Sequence, residues 1–243
     1  AHANVTAETY AEAEADFEGF WAKRAKRLSW QTEPTQVLDW SNPPFAKWYA
    51  DGTLNAAYNC LDRHVEAGNG DRVAFYFEGE PGDTQVITYA ELTRHVKQAA
   101  NALLELGVKT GDRVAIYLPM IPEAVVAMLA CARIGAPHTV VFGGFSSDAL
   151  YSRVIDCGVK FVITADGGYR RGNASQLKPA VDEALKYGCD VEKVLVVQRT
   201  KQDVPMTEGR DLWWHEFVGK QSDEHDCESF PAEHPLYVMY TSG

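Results

Sequence analysis

Residues 113–165 read RVAIYLPMIPEAVVAMLACARIGAPHTVVFGGFSSDALYSRVIDCGVKFVITA. Three runs in this stretch, Arg113–Leu118, His138–Phe142 and Lys160–Ala165, are continuous, apolar and rich in Val and Ile. A strand buried on both faces reads this way, whereas a half-exposed strand alternates. Between the runs lie two segments of helical length, Pro122–Ile134 and Ser147–Asp156, stopped by Gly135 and Gly158. Proline just inside a helix start and glycine just past its end are positional signals of a helix. The strand–helix–strand order predicts βαβ units. The fold class is therefore α/β: a mostly parallel sheet flanked by helices on both faces.

The same rhythm extends outward. Downstream it predicts a helix over Gln176–Tyr187 stopped by Gly188, then strands over Lys193–Val197 and Leu236–Tyr240. Upstream it predicts strands over Val73–Phe77 and Val86–Thr88. Thr88 and Glu91 form a capping-box pattern that opens a helix to Leu106. Gln198–Ala232 interrupts the rhythm; it is polar, with one aromatic cluster, Trp213–Phe217, that reads as a short helix. Residues 1–65 differ in texture and hold Trp21, Trp30, Trp40 and Trp48 out of six tryptophans. Thr6 caps an expected helix with Phe17, Phe20, Trp21 and Arg24 on one face. An irregular stretch with Pro34, Pro43 and Pro44 follows. Large aromatics are costly to leave in water, so this segment is expected to pack them against a neighbouring domain. The expected division is an extension over 1–65 and a main domain over 66–243.

The chain has 243 residues, 46% hydrophobic and 23% charged, which is ordinary globular composition. With 23 Lys and Arg against 34 Asp and Glu, the net charge is −11. Bulk binding to nucleic acid or an anionic membrane is disfavoured, since each needs a positive surface. A few local arginines still suffice for one polyanionic small molecule, because distant charges are screened beyond about 8 Å. Cys60, Cys131, Cys157, Cys189 and Cys227 are widely spaced with no Cys-x-x-Cys pair, which suits a reducing cytoplasm better than a disulfide or zinc framework. No apolar run reaches about 18 residues, so no transmembrane helix is expected.

In open parallel sheets ligands bind beyond the carboxyl ends of the strands, so the loops there carry the chemistry. Pro119–Glu123 reads as a proline-fixed turn with a structural role. Phe142-Gly143-Gly144-Phe145-Ser146 admits two readings: a backbone that a ligand can approach closely, or a tight turn that needs positive φ. Asp166-Gly167-Gly168-Tyr169-Arg170-Arg171-Gly172-Asn173, followed by Lys178, places two arginines in a glycine-rich loop before a helix. Arginine offers bidentate hydrogen bonds to phosphate and a helix start adds free N–H groups, which favours an anion site over a solvated basic loop. Tyr240-Thr241-Ser242-Gly243 has the small hydroxylated residues with which phosphate-cradling loops begin. His64, His95, His138, His215, His225 and His234 show no metal-ligand spacing, and no metal site is expected. Asp223, Glu224, Asp226 and Glu228 around His225 read as a solvated acidic loop.

Taken in order, these segments resemble the acetyl-CoA synthetases, AMP-forming acyl-CoA ligases of the adenylate-forming superfamily. The resemblance covers nearly the whole chain. Phe17-Glu18-Gly19-Phe20-Trp21 is similar to the family's aromatic N-terminal segment, and Leu54 to His64 (LNAAYNCLDRH) to its entry into the main domain. More specific still are Ile116–Glu123 (IYLPMIPE), Ala130–Ala136 (ACARIGA), Val141–Ser146 (VFGGFS) and the final TSG.

The resemblance implies a ligase that makes acetyl-CoA from acetate, ATP and CoA. A carboxylate attacks the α-phosphate of ATP with Mg²⁺ present, and the CoA thiol then displaces AMP from acetyl-AMP. It implies that Phe142, Gly143 and Gly144 line the CoA path. It also implies that Arg170, Arg171, Gly172 and Asn173 contact CoA, with Arg170 on the 3′-phosphate. Asn173 stands where many members carry Arg or Lys. Thr241, Ser242 and Gly243 match the start of the ATP phosphate loop. The resemblance further implies an N-terminal fragment without catalytic residues of its own and without ligase activity. The carboxylate pocket, the adenine and Mg²⁺ contacts and a modifiable C-terminal lysine would all lie after residue 243. A propionate–CoA ligase is the nearest alternative, and a non-catalytic CoA- or nucleotide-binding module is a second. A nicotinamide-dependent dehydrogenase fits poorly, since no Gly-x-Gly-x-x-Gly follows the early strands.

Overall fold

The structure, a computed structural model, describes residues 5–241. The described chain forms two compact units, residues 5–55 with 229–234 and residues 56–228 with 235–241.

In the first unit the expected single helix is two: α1 (Ala7–Ala15) and α2 (Phe17–Ala25). Asp16 divides them. Its φ of −149° is not helical, and its Oδ1 accepts the Gly19 N–H at 3.0 Å, so it serves as the N-cap of α2. The irregular stretch contains a hairpin, β1 (Leu38–Asn42) with β2 (Phe45–Trp48), which turns at Pro43–Pro44. The aromatics pack on one another: Trp21 and Phe17 both meet the Trp48 ring edge-on at 5.8 Å. A short β3 (Thr53–Leu54) pairs antiparallel with Phe230–Pro231.

The second unit opens with short helices α3 (Ala56–Cys60) and α4 (Asp62–His64) and an antiparallel hairpin of β4 (Val73–Glu78) and β5 (Thr84–Thr88). In α5 (Tyr89–Glu105), Thr88 and Glu91 form the expected capping box, and Leu92, Val96, Ala99, Ala100 and Leu103 share the buried face. Next come β6 (Arg113–Leu118), α6 (Pro122–Arg133), β7 (His138–Phe142), α7 (Ser147–Cys157) and β8 (Val159–Ala165). Then follow β9 (Gly167–Arg170), β10 (Asn173–Gln176), α8 (Lys178–Leu185), β11 (Lys193–Val197), β12 (Asp211–Trp213) and α9 (Trp214–Phe217).

Strands β12, β11, β8, β6 and β7 lie side by side in that order, all parallel. The α/β architecture read from the sequence is the one observed. The chain steps from β6 to β7 in one direction and from β7 to β8 in the other. Right-handed crossovers therefore put α6 on one face and α7 with α8 on the opposite face. Ile116, Tyr117, Val162, Ile163, Leu195 and Val196 are almost wholly buried between these layers. Among the described residues no helix is long and apolar enough to cross a membrane.

Two readings are corrected and a third is refined. Helix α8 starts at Lys178 rather than Gln176, because residues 173–176 are taken up by a strand. Leu236–Tyr240 is not a strand; only Tyr237 bridges His138, through backbone bonds from Val238 N–H to His138 O at 2.8 Å and from His138 N–H to Leu236 O at 3.4 Å. In the segment around His225 the acidic residues Asp223, Glu224, Asp226 and Glu228 are exposed, as read from the sequence, while His225 itself is docked. The buried Arg133 guanidinium donates through Nε to His225 Nδ1 at 3.1 Å, while Nη1 and Nη2 grip Asp62 at 2.7 and 3.0 Å. A buried guanidinium without such partners would be strongly destabilising, and this requirement pins the segment down.

Candidate functional site

The order of the sheet reverses between β6 and β8, and a cleft opens at the carboxyl ends of the strands there, where such sheets bind ligands. Its volume is about 520 Å³, and its walls come from the loops after β6, β7, β8 and β11 and from the β4–β5 turn.

One wall is the turn after β7, with Phe142, Gly143, Gly144 and Phe145. Ser146 caps α7 by accepting the Ala149 N–H at 3.3 Å. The Tyr117 hydroxyl donates to the Phe145 carbonyl at 2.7 Å, and burial pushes its pKa up, which keeps it a donor. Neither Gly143 nor Gly144 has positive φ. The glycine pair is needed for space instead. A Cβ on Gly143 would lie 3.1 Å from Leu118 O, and one on Gly144 only 2.5 Å from the Phe142 ring and 2.7 Å from an Arg170 nitrogen. The reading of this turn as one that needs positive φ is therefore not the observed one; the crowding at its glycines comes from the protein's own atoms.

The other wall is the arginine segment, which is not the loop the sequence suggested. It is a β-hairpin in which β9 pairs with β10 in the register Arg170↔Asn173, Tyr169↔Ala174, Gly168↔Ser175. The two connecting residues, Arg171 and Gly172, have φ of +53° and +77°, the handedness that two-residue hairpin turns demand. Arg170 projects to the cleft, its guanidinium carbon 5.8 Å from the Phe142 ring centroid. Among the described residues neither Arg170 nor Arg171 pairs with a carboxylate. The hairpin separates both arginines from the start of α8, so the expected contribution of helix N–H groups does not arise here. Lys178 is also spent: it is fully buried, its Nζ 2.7 Å from Asp182 and 2.8 Å from Asp211. Asn173 turns its Nδ2 to the Arg171 carbonyl at 3.1 Å and so braces the turn.

Several cleft residues went unnoticed in the sequence. Arg199, from the segment after β11, donates to both carboxylate oxygens of Asp83 at 2.5 and 2.8 Å. It also lies 5.2 Å from the Tyr169 ring and 5.5 Å from the Phe77 ring. The hydrogen bond from Arg199 holds the Asp83 carboxyl below its ordinary pKa. Glu80 accepts the Gly172 N–H and so caps the hairpin tip. These contacts join positions about a hundred residues apart, and no local pattern announces them.

Of the expected phosphate-loop residues, Thr241 is exposed, and Ser242 and Gly243 lie outside the described residues. Just before them, the Tyr240 hydroxyl donates to Asp156. The Arg153 guanidinium lies 4.9 Å from the Tyr240 ring and 5.0 Å from the Phe145 ring, which links this segment to the glycine wall. Cys60, Cys131, Cys157, Cys189 and Cys227 are free thiols; burial pushes Cys131 and Cys227 up to about 12, so neither is a nucleophile near neutral pH.

A parallel sheet with a cleft at its switch point, rimmed by a guanidinium that no carboxylate pairs among the described residues, suits an anionic ligand. In agreement with it, residues 61–243 match the family of AMP-binding enzymes, and the chain belongs to that family. Residues 6–60 match the acetyl-coenzyme A synthetase N-terminus. Among its relatives the chain is 70% identical to the acetyl-coenzyme A synthetase of Streptomyces avermitilis over 243 residues, all of this chain and 37% of that protein. It is 68% identical to the one of Streptomyces coelicolor, again over its full length and 37% of the relative. It is 60% identical to the one of Mycobacterium tuberculosis, of which it spans 38%.

Proposed function

We propose that this chain serves in an acetate–CoA ligase that makes acetyl-CoA from acetate and CoA at the expense of ATP. The acetate oxygen attacks the α-phosphorus of ATP and pyrophosphate leaves. The CoA sulfur then attacks the acyl carbon of acetyl-AMP, AMP leaves, and the thiol proton is released. A carboxylate oxygen is a poor leaving group and AMP a good one, which is why the acid passes through the adenylate.

The observation that carries the proposal is Arg170 at the rim of the switch-point cleft, paired with no carboxylate among the described residues, opposite a glycine turn flanked by the Phe142 ring. In this reading Arg170 takes the 3′-phosphate of CoA by charge-assisted hydrogen bonds. Arg171, Gly172 and Asn173 shape the turn that presents it. Phe142, Gly143 and Gly144 form the opposite side of the CoA path. Thr241, Ser242 and Gly243 open the ATP phosphate loop. The Mg²⁺ contacts and the acyl pocket come from residues outside this chain, so the 243-residue chain alone has no turnover. The division at residues 65 and 66 and a cytoplasmic location belong to the same proposal; free thiols suit that compartment.

The test is Arg170→Ala in the full-length enzyme. The KM for CoA should rise tenfold or more, since a hydrogen bond to a charged group contributes about 1.5–3 kcal/mol. The KM for ATP should stay within about twofold. Equal damage to both would make the hairpin a structural element rather than a CoA contact.

A further inference from the structure

Asp166 follows directly on β8 and is fully buried. Its Oδ1 accepts three backbone N–H groups, from Gly167 at 2.6 Å, Arg199 at 2.8 Å and Thr200 at 2.9 Å. Its backbone closes the root of the β9–β10 hairpin. The Asp166 N–H donates to Val197 O at 2.9 Å, and the Asp166 carbonyl accepts the Leu177 N–H at 2.9 Å. One residue thus binds the strand that enters the hairpin, the residue that leaves it and the segment after β11. Oδ2 is buried with no hydrogen-bond partner among the described residues, so Oδ1 alone gathers the N–H groups.

The root has no slack. A Cβ on Gly167 would meet Ser175 O at 2.5 Å and Thr200 Oγ1 at 2.6 Å. From this root to Arg170 the strand runs four residues at about 3.3 Å each. A tilt of about 10° at the root therefore moves the arginine by about 2 Å, which is enough to break a hydrogen bond. Arg199 leaves the same carboxylate to brace Asp83 and the Tyr169 ring, so both sides of the hairpin take their reference from Asp166.

We infer that Asp166 is a positioning residue for CoA: it acts through Arg170 by fixing the angle at which the hairpin crosses the cleft. This rests on Arg170 being the CoA contact. The experiment compares Asp166→Asn, Arg170→Ala and the double variant in the full-length enzyme. It reads the KM for CoA together with acetate-dependent exchange of pyrophosphate into ATP, a half-reaction that needs no CoA. Asp166→Asn should raise the KM for CoA about tenfold, as the weaker acceptor loosens the root, and leave the exchange rate within about twofold. In the Arg170→Ala background the same substitution should add nothing, because the group it positions is gone. Should Asn not be tolerated, Asp166→Ser, which keeps a short acceptor and buries no amide, carries the same expectation. The inference is overturned if the KM for CoA does not move, if exchange falls in step with it, or if the effect is undiminished in the double variant. If Arg170→Ala alone leaves the KM unchanged, the CoA reading of the hairpin fails first and this inference with it.

Discussion

The turn over residues 142–146 and the hairpin over residues 167–176 face each other across one cleft, and both are glycine-rich. In the turn a Cβ would press on the Leu118 carbonyl at Gly143 and displace the Phe142 and Arg170 side chains at Gly144, while its φ angles stay negative. The hairpin carries Gly172 in open space with φ of +77°, because the turn must be left-handed there. At its root the hairpin is as crowded as the turn, with a Cβ on Gly167 2.5 Å from Ser175 O and one on Gly168 3.2 Å from Pro119. Glycine therefore answers two separate demands, close approach and handedness, and the two respond differently to the same methyl group.

Gly167→Ala is the harshest test of that difference. Its Cβ would collide with the backbone of the paired strand, and we expect a loss of about 3 kcal/mol, read from urea midpoints. A pH titration separates the strands beneath the two walls. Burial lowers the pKa of His138, at the start of β7, from 6.5 to about 4, and its Nδ1 has no partner among the described residues. The unfolded chain takes up this proton near pH 6.5 and the folded one does not. Stability from this site is therefore complete above that pH and falls by about 3 kcal/mol as pH drops towards 4. His138→Leu should flatten the profile; an unchanged profile would place the sensitivity elsewhere.

Gly143→Ala presses on Leu118 O at 3.1 Å, and a cost of about 2 kcal/mol is expected by the same measurement. Gly172→Ala meets no atom and pays only for its backbone angle, about 1 kcal/mol. A reversed order for these two would mean that handedness, not space, dominates the cleft. Glu80→Gln should have the smallest effect. It removes a negative charge beside the arginines while keeping an acceptor for Gly172, and should lower the KM for CoA by about twofold.

The sheet was legible because β6, β7, β8 and β11 are unbroken apolar runs, each tied to a helix with a clear stop such as Gly135 or Gly158. The hairpin was not. Its arms, Gly167–Arg170 and Asn173–Gln176, contain neither a Val–Ile run nor an alternation; what marks it is the Arg171-Gly172 pair between equal arms. Leu236–Tyr240 misled in the opposite sense. It is apolar enough for a strand, but a strand also needs a backbone partner, and only His138 supplies one.

From its sequence alone this protein fixed an α/β architecture and the end of the sheet at which a ligand belongs, since burial on two faces and helix punctuation are local properties of the chain. Tertiary structure decided what the cleft is made of: Arg199 on Asp83, Glu80 on the hairpin tip, Asp166 at its root. Those contacts depend on which distant backbone N–H or carboxylate the fold brings within about 3 Å, and hydrogen bonding at that range leaves no trace in sequence spacing.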